Sequence, residues 1–377
     1  MPSVPVADKL AAMIGRALED IPTPAVLVDL DVLERNIERM AAAARAHGVR
    51  LRPHAKTHKV LEIARRQLAA GAVGLSLAKT SEAEVFVSAG FTDVFLAYPV
   101  VGADKARRLL ALADRARIAV GVDSVAGAGT LATVFREAAR RLEVLLKVDA
   151  GFHRVGVPPH AVLDVAHRLA DLPGLHLRGL FTHAGQAYLA ETPEAVAEVG
   201  RHEGRTLAEA AQGLRAAGIP VEEVSVGSTP TARHALAVAG VTECRPGNYV
   251  FHDLSQVGLG TARIEDCALT VLASVVSVPT ADRAVLDAGS KTLSSDPLRP
   301  RPGGHGLILG GRSRIARLSE EHGEVVVEPG ETFRVGRRVR VLPNHACVVA
   351  NLHDRLLGIR GGRVAEVFPV AARGRVE

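Results

Sequence analysis

From about residue 25 to residue 255, short runs of β-branched and aliphatic residues alternate with longer Ala-, Arg- and Glu-rich stretches whose apolar positions recur at helical spacing. The pattern predicts strands over Ala25 to Leu30, Val49 to Pro53, Ala72 to Ala78, Asp93 to Ala97, Ile118 to Val122, Val144 to Val148, Leu177 to Thr182 and Glu222 to Val226. Between them fall helix-length segments such as Asp31 to His47, Lys59 to Ala70 and Thr192 to Ala217. Eight strands, each beside a helix, predict a (β/α)8 TIM-like barrel, because parallel neighbours need a crossover long enough to return the chain to the same end.

After about Gly260 the texture changes. Leu269 to Val278, Arg283 to Leu286, Glu324 to Val327, Arg337 to Leu342 and Leu356 to Ile359 are strand-like runs parted by Gly, Pro and Asp turns, with no long helix between them. The expected organisation is an N-terminal segment, residues 1–24, available to join the β domain; a barrel over residues 25–258; and a mostly β C-terminal domain over residues 259–377.

Composition narrows the class. Hydrophobic residues make up 47% of the 377, aromatic ones 3%, and Trp is missing, so the core must be packed from Ala, Val and Leu. The formal charge of +5 comes from 46 basic and 41 acidic residues spread along the whole length, which excludes a nucleic-acid-binding stripe and suits an anionic cofactor or substrate. Cys244, Cys267 and Cys347 are odd in number and lack paired spacing, so a disulfide framework is not expected and a reducing, cytoplasmic setting is. Met1 to Asp20 lacks the apolar core of a signal peptide, and no run approaches the ~18 apolar residues of a membrane span.

Barrel enzymes build their sites at the C-terminal strand ends. There the chain sets out Arg52-Pro53-His54-Ala55-Lys56-Thr57-His58-Lys59, with two lysines and two histidines in six residues. A lysine partly desolvated at such a place has a lowered pKa and can form a Schiff base, although a solvated basic turn would read the same way. Asp149 to Arg154 adds a permanent cation, and His183 to Tyr188 adds an acid/base histidine or tyrosine. Gly227-Ser228-Thr229 suits a phosphate through backbone N–H groups and hydroxyls, especially if a helix starts near Thr231, although taken alone it reads more readily as a Ser/Thr-capped strand-to-helix turn. Arg245-Pro246-Gly247-Asn248-Tyr249 could bring a phenol to the same phosphate or mark a turn into the next domain.

In the C-terminal domain His345 and Cys347 are one residue apart, and on a strand they would share a face and could converge on one divalent ion. As an isolated pair they are more often two unrelated side chains than a metal site. His353 and Asp354 stand close enough in sequence to support them or to sit in a surface turn.

Taken in order, Thr23-Pro24-Ala25, the Arg52 to Lys59 block, Asp149 to Gly156, His183-Ala184-Gly185, Gly227-Ser228-Thr229-Pro230, Arg245 to Tyr249, Asp287-Ala288-Gly289 and His345 to Cys347 resemble the fold type III pyridoxal-phosphate enzymes, in particular the D-serine dehydratase and D-threonine aldolase group. The resemblance implies an alanine-racemase-like barrel with a C-terminal β domain, usually a homodimer, that takes a small D-amino-acid substrate. It implies that Lys56 carries the cofactor as a Schiff base, that Arg154 lies near its phenolic oxygen, that Gly227, Ser228, Thr229 and Tyr249 hold its phosphate, and that Tyr188, with His183, serves the reacting face. His345 and Cys347 resemble ligands of a divalent metal, zinc or one of Mn, Mg and Co.

A metal has no task in racemisation, whereas activating a β-hydroxyl gives it one. The expected reaction is therefore D-serine or D-threonine dehydration to a 2-oxo acid and ammonia, with D-threonine cleavage to glycine and acetaldehyde as the alternative. The His345-x-Cys347 pair resembles the dehydratase branch; Asp287 to Lys291 departs from it. A racemase and a non-catalytic cofactor-binding barrel remain further readings, both disfavoured by the metal pair.

Overall fold

The computed structural model describes residues 12–298 and 303–377. Residues 1–11 of the expected N-terminal segment, residues 1–24, lie outside the described residues, which take it up at residue 12. The chain divides into two compact units. One combines the described residues up to Ile37 with Thr57–Glu62 and Asn248–Arg373; the other combines Glu38–Lys56, Ile63–Gly247 and Gly374–Glu377.

The first strand, β1 (Ala25–Asp29), belongs to the former unit, and the eight that follow build the latter: β2 (Arg50–Leu51), β3 (Leu75–Leu77), β4 (Asp93–Pro99), β5 (Arg117–Val122), β6 (Leu142–Lys147), β7 (Leu175–Phe181), β8 (Glu223–Val226) and β9 (Glu243–Cys244). They form one eight-stranded sheet in the order β2-β9-β8-β7-β6-β5-β4-β3 with parallel pairings. Its two edges meet where Val73 N–H donates to the Leu51 carbonyl at 2.9 Å and Ser76 N–H to that of Pro53 at 2.8 Å, which completes the barrel. Phe95, Ala119, Leu145 and Phe181 fill the interior as one buried cluster. Gly121 is required beside them, since a Cβ there would come within 2.5 Å of the Phe181 ring.

One strand assignment needs correction. Ala25 to Leu30, expected as the first barrel strand, pairs antiparallel with β10 (Leu269–Thr280) and parallel with β16 (Arg355–Arg360). Its place in the barrel is taken by β9, two residues with a charged first member that periodicity cannot single out. Lys56 thus follows the first barrel strand rather than the second, and the loops at Asp149, His183 and Gly227 follow the fifth, sixth and seventh.

Near the strand N-termini, ion pairs run round the barrel. Arg52 pairs with Asp93 at 2.5 Å and Glu243 at 2.6 Å; Arg117 reaches Asp93 at 4.0 Å and Glu143 at 2.9 Å; Arg178 holds Glu143 at 2.5 Å and Glu223 at 2.6 Å; Arg50 returns to Glu223 at 2.7 Å. Arg52, Arg178, Glu223 and Glu243 are buried. Charges at this depth persist only when each has its partner.

The other unit is built on a nine-stranded sheet. With β11 (Arg283–Leu286), β12 (Gly306–Ile308), β13 (Arg314–Leu318), β14 (Gly323–Val326) and β15 (Arg338–Pro343), β10 forms an antiparallel ring ordered β10-β11-β14-β13-β12-β15. The twelve residues of β10 let it pair with β1 and β15 near its start and with β11 near its end, while β16 and β17 (Arg363–Pro369) continue beyond β1. Ile21, Leu27, Leu272 and Leu357 pack under this extension. Among the described residues no helix is long and apolar enough to cross a membrane.

Candidate active site

The strand ends of the barrel unit bring most of the expected side chains together. Lys56 is the second residue of the turn Ala55–Thr57 and is exposed, so the desolvated amine foreseen for this block is not Lys56. Two amines are buried, Lys59 in the same block and Lys147, the last residue of β6, which lies over the Phe181 ring at 4.7 Å. Burial, then the nearby Arg245 and Arg154, bring the pKa of Lys147 down to about 7. Its position inside a predicted strand is why its sequence gave no sign of this.

The Asp149 loop is a built turn. The Asp149 carboxylate accepts the N–H groups of Gly151, Phe152 and His153, each at 3.0 Å, which fixes the approach of Arg154; its guanidinium lies 4.7 Å from the Phe152 ring centroid. The Phe152 ring in turn packs edge-on to His183, and a Cβ at Gly185 would collide with it at 2.4 Å. Tyr188 is half-buried in the following turn, Gly185–Leu189.

His183 Nδ1 lies 2.9 Å from the Gly227 carbonyl. A carbonyl can only accept, so Nδ1 carries the hydrogen and Nε2 keeps its lone pair. Burial, with Lys56 and Lys147 nearby, holds His183 well below the ordinary histidine range, hence neutral. His54 is lowered in the same way, by burial first and then Lys56, and its buried Nδ1 lacks a hydrogen-bond partner.

Gly227 departs from the role foreseen for it. Its N–H donates to Glu203 Oε1 at 3.0 Å, so that donor is already taken. What the loop needs from Gly227 is a φ of +134° and close approach, since a Cβ would meet the Arg245 nitrogen at 2.7 Å. Ser228 and Thr229 are buried hydroxyls, and Thr231 stands at the N-cap of the short helix Ala232–Ala235.

Glu203 was not foreseen at all. It lies fully buried in the helix Pro193–Ala216, where Oε1 accepts from Ala184 N–H at 3.2 Å as well as Gly227, and Oε2 accepts from Thr231 Oγ1 at 2.9 Å. One carboxylate thereby ties the loop after β7 to the loop after β8. Burial is the main cause that raises its pKa. Arg245, also buried, donates to Ser225 Oγ and the Thr182 carbonyl. A glutamate on the buried stripe of a long helix is the signal that could have exposed Glu203.

Tyr249, His345 and Cys347 lie in the other unit. His345 and Cys347 are not on a strand, as their spacing suggested: β15 ends at Pro343, His345 is the N-cap of the helix Ala346–Leu352, and Cys347 stands in its first turn. The cap, not strand alternation, turns imidazole and thiol toward each other. Asp253 secures it by accepting Ala346 N–H at 2.9 Å and Asn248 Nδ2 at 2.6 Å, the latter next to the buried Tyr249. Burial raises the pKa of Asp253.

Asp296 Oδ2 lies 2.6 Å from His345 Nδ1, and Thr57 Oγ1 is 3.4 Å from Cys347 Sγ. Burial alone would lower the pKa of His345, but Cys347, Asp296 and Asp253 outweigh it and push it up to about 11. A field that favours a cation this strongly, with an imidazole whose Nδ1 is held by a carboxylate, fits a divalent ion on Nε2 and sulfur. His353 and Asp354 do not take part: His353 Nε2 faces the Thr292 carbonyl at 3.1 Å and Asp354 pairs with Arg373. All three cysteines are free.

The barrel donor set likewise fits a cofactor with an aldehyde and a phosphate: an accessible lysine, a permanent cation, a neutral imidazole and buried hydroxyls on a glycine turn. Residues 28–255 match the model of the alanine racemase N-terminal domain, and residues 268–359 that of a putative serine dehydratase domain. The chain is 39% identical over 346 residues to the D-threo-3-hydroxyaspartate dehydratase of Delftia sp. (strain HT23), covering 86% of this chain and 90% of that protein. It is 38% identical to the D-threonine aldolase of Arthrobacter sp over 370 residues, 96% of each. A solved structure of a cysteine-to-alanine variant of D-threo-3-hydroxyaspartate dehydratase, in the metal-free form, superposes with a TM-score of 0.88 at 36% identity, over 94% of this chain and 98% of that one.

Proposed function

Because the chain belongs to the family of alanine-racemase-like barrels that carry a serine dehydratase domain, we propose that it is a pyridoxal-phosphate- and divalent-metal-dependent lyase of D-β-hydroxy-α-amino acids. Its main reaction is dehydration to a 2-oxo acid and ammonia. Cleavage of D-threonine to glycine and acetaldehyde is the second reading, favoured by the match to an aldolase along 96% of the chain.

The observation that carries the proposal is the His345 and Cys347 pair, oriented by Asp296 at 2.6 Å, in a chain whose barrel offers Lys56. Pyridoxal phosphate supplies an electron-accepting ring next to the substrate Cα. A divalent ion supplies positive charge for a substrate β-oxygen. The chain's residues do the rest. Lys56 holds the cofactor through its aldehyde in the absence of substrate and, once the substrate amine has displaced it, moves the Cα proton. Ser228 and Thr229, on the turn that Gly227 permits, bind the phosphate, with Tyr249 assigned to the same group. Arg154 faces the phenolic oxygen, and Tyr188 or the free Nε2 of His183 handles a proton on the reacting face. His345 and Cys347 ligate the ion.

D-threonine separates the two reactions, because dehydration yields 2-oxobutanoate plus ammonia and cleavage yields glycine plus acetaldehyde. A chelator should stop either one, with activity restored by zinc or manganese. Absence of a metal-dependent product from both D-serine and D-threonine would sink the proposal. A homodimer in the cytoplasm is the assembly and setting attached to this reading, and sedimentation of the cofactor-loaded protein tests the former.

A further inference from the structure

The hydroxyl of Thr231 sits between two close oxygens, Glu203 Oε2 at 2.9 Å and Ser228 Oγ at 2.9 Å, with the Ser228 carbonyl a longer contact at 3.5 Å. A hydroxyl has one hydrogen to give. When Glu203 is ionised it can only accept, so Thr231 donates to Glu203 and Ser228 must donate to Thr231. In that state Ser228 turns a lone pair, not a hydrogen, toward anything else it meets. A phosphate dianion needs the reverse. If Ser228 donates to the anion, Thr231 must donate to Ser228, and Thr231 then has to accept from Glu203, which is possible when Glu203 carries a proton. Nothing in the remaining contacts prevents this, because Glu203 Oε1 accepts from Ala184 and Gly227 as well in an acid as in a carboxylate.

We propose that Ser228, Thr231 and Glu203 form a hydroxyl relay through which binding of a phosphate monoester in the barrel loads one proton onto Glu203. The inference rests on the assignment of Ser228 to the phosphate made above. It gives Glu203 a positioning role: the charge state of this buried carboxyl sets the direction of the hydroxyl that meets the anion. Burial already raises its affinity for a proton. The titratable and charged groups facing it are Arg245, Cys244 and Lys147; along its own helix Arg201, His202 and Arg205 are exposed, and His234 packs against Gly200 one turn away. Burial lowers the pKa of Arg245, but a guanidinium is basic enough to stay protonated, and burial keeps the Cys244 thiol neutral. Lys147 is the rival proton acceptor.

The sign follows from linkage. A ligand that prefers protonated Glu203 raises its pKa in the complex, so protons are taken up on binding and affinity falls as pH rises between the free and bound values. The probe is pyridoxine 5′-phosphate, an alcohol that cannot condense with Lys56, titrated calorimetrically near pH 8 into cofactor-free protein in two buffers of different ionisation enthalpy. The wild type should take up about one proton more than Glu203→Gln, and its affinity should weaken by up to about tenfold per pH unit where the variant's stays flat. In Glu203→Gln the amide nitrogen donates permanently to Thr231, fixing the relay in the anion-binding direction, so binding should be at least as tight. Thr231→Val, which cuts the relay and frees Ser228, should bind without the extra proton and serves if the glutamine variant does not fold. Equal uptake in wild type and both variants would place the proton on Lys147 or elsewhere and overturn the relay. Binding that ignores Ser228→Ala would overturn the phosphate assignment itself, and the relay with it.

Discussion

Asp296 Oδ2 and His345 Nδ1 are 2.6 Å apart, and this contact commits the imidazole to present Nε2, not Nδ1, to whatever Cys347 also reaches. A carboxylate behind a ligating histidine fixes its tautomer and raises its basicity, and loss of such a partner costs roughly 10–100-fold in metal affinity. Asp296→Ala should therefore weaken zinc binding by about that factor while leaving the phosphate probe's affinity in place. Cys347→Ala, which removes a ligand, should cost more. A competition titration against a chromophoric chelator checks both; an Asp296 variant with unchanged zinc affinity would remove the carboxylate from the site.

Lys56 and Lys59 compete for the cofactor on sequence alone, and the structure separates them. Lys56 is exposed on its turn, whereas Lys59 is buried with a φ of +53° and its carbonyl accepts Ala372 N–H. Lys56→Ala should abolish the near-visible absorption of the bound cofactor and nearly all turnover. Absorption that survives in Lys56→Ala and disappears in Lys59→Ala would reverse the assignment.

The contrast between these lysines and Lys147 shows what the sequence makes legible. The alternation of strands and helices announces the barrel, and strand-end loops announce Lys56, Arg154, His183 and Ser228, because position in a repeating pattern is a local property. Burial of an individual charge is not local. Glu203 reads as one more polar residue of a helix until the loops after β7 and β8 are seen to end on it. Asp296 is 49 positions from His345, and no periodicity links them. The exchange of β1 for β9 has the same cause: Ala25–Asp29 looks like any apolar strand, and its partners, Leu269–Thr280 and Arg355–Arg360, are hundreds of residues away.

The ion pairs around the barrel predict a sharp difference between buried and exposed members. Arg178, 3% exposed, bridges Glu143 and Glu223, and removing it leaves Glu223, itself 1% exposed, with the exposed Arg50 as its remaining cation. Arg178→Met should cost about 3–5 kcal/mol, the scale of breaking a buried pair at one end. Arg140→Met, which removes an exposed partner of Asp114, should cost less than about 1 kcal/mol. Urea unfolding followed through the barrel's far-ultraviolet signal measures both, and similar costs at the two positions would mean that the ring is not what holds the strands in place.

Lys147 gives the fold a pH dependence whose direction is fixed. In the native chain its pKa is brought down to about 7, while in the unfolded chain it returns to the ordinary value of 10.5. Between these values the unfolded state binds a proton that the native state does not, so stability rises with pH across the window, by at most about 1.4 kcal/mol per unit. Below pH 7 both states are protonated and the penalty of a buried charge is present in full. Lys147→Met keeps the length of the side chain over the Phe181 ring and removes the titration. The cofactor-free variant should be more stable than wild type at pH 7, and the gap should narrow steadily as the pH is raised to 9. Urea midpoints at four or five pH values suffice, and profiles that run parallel would show that Lys147 is charged in the folded chain.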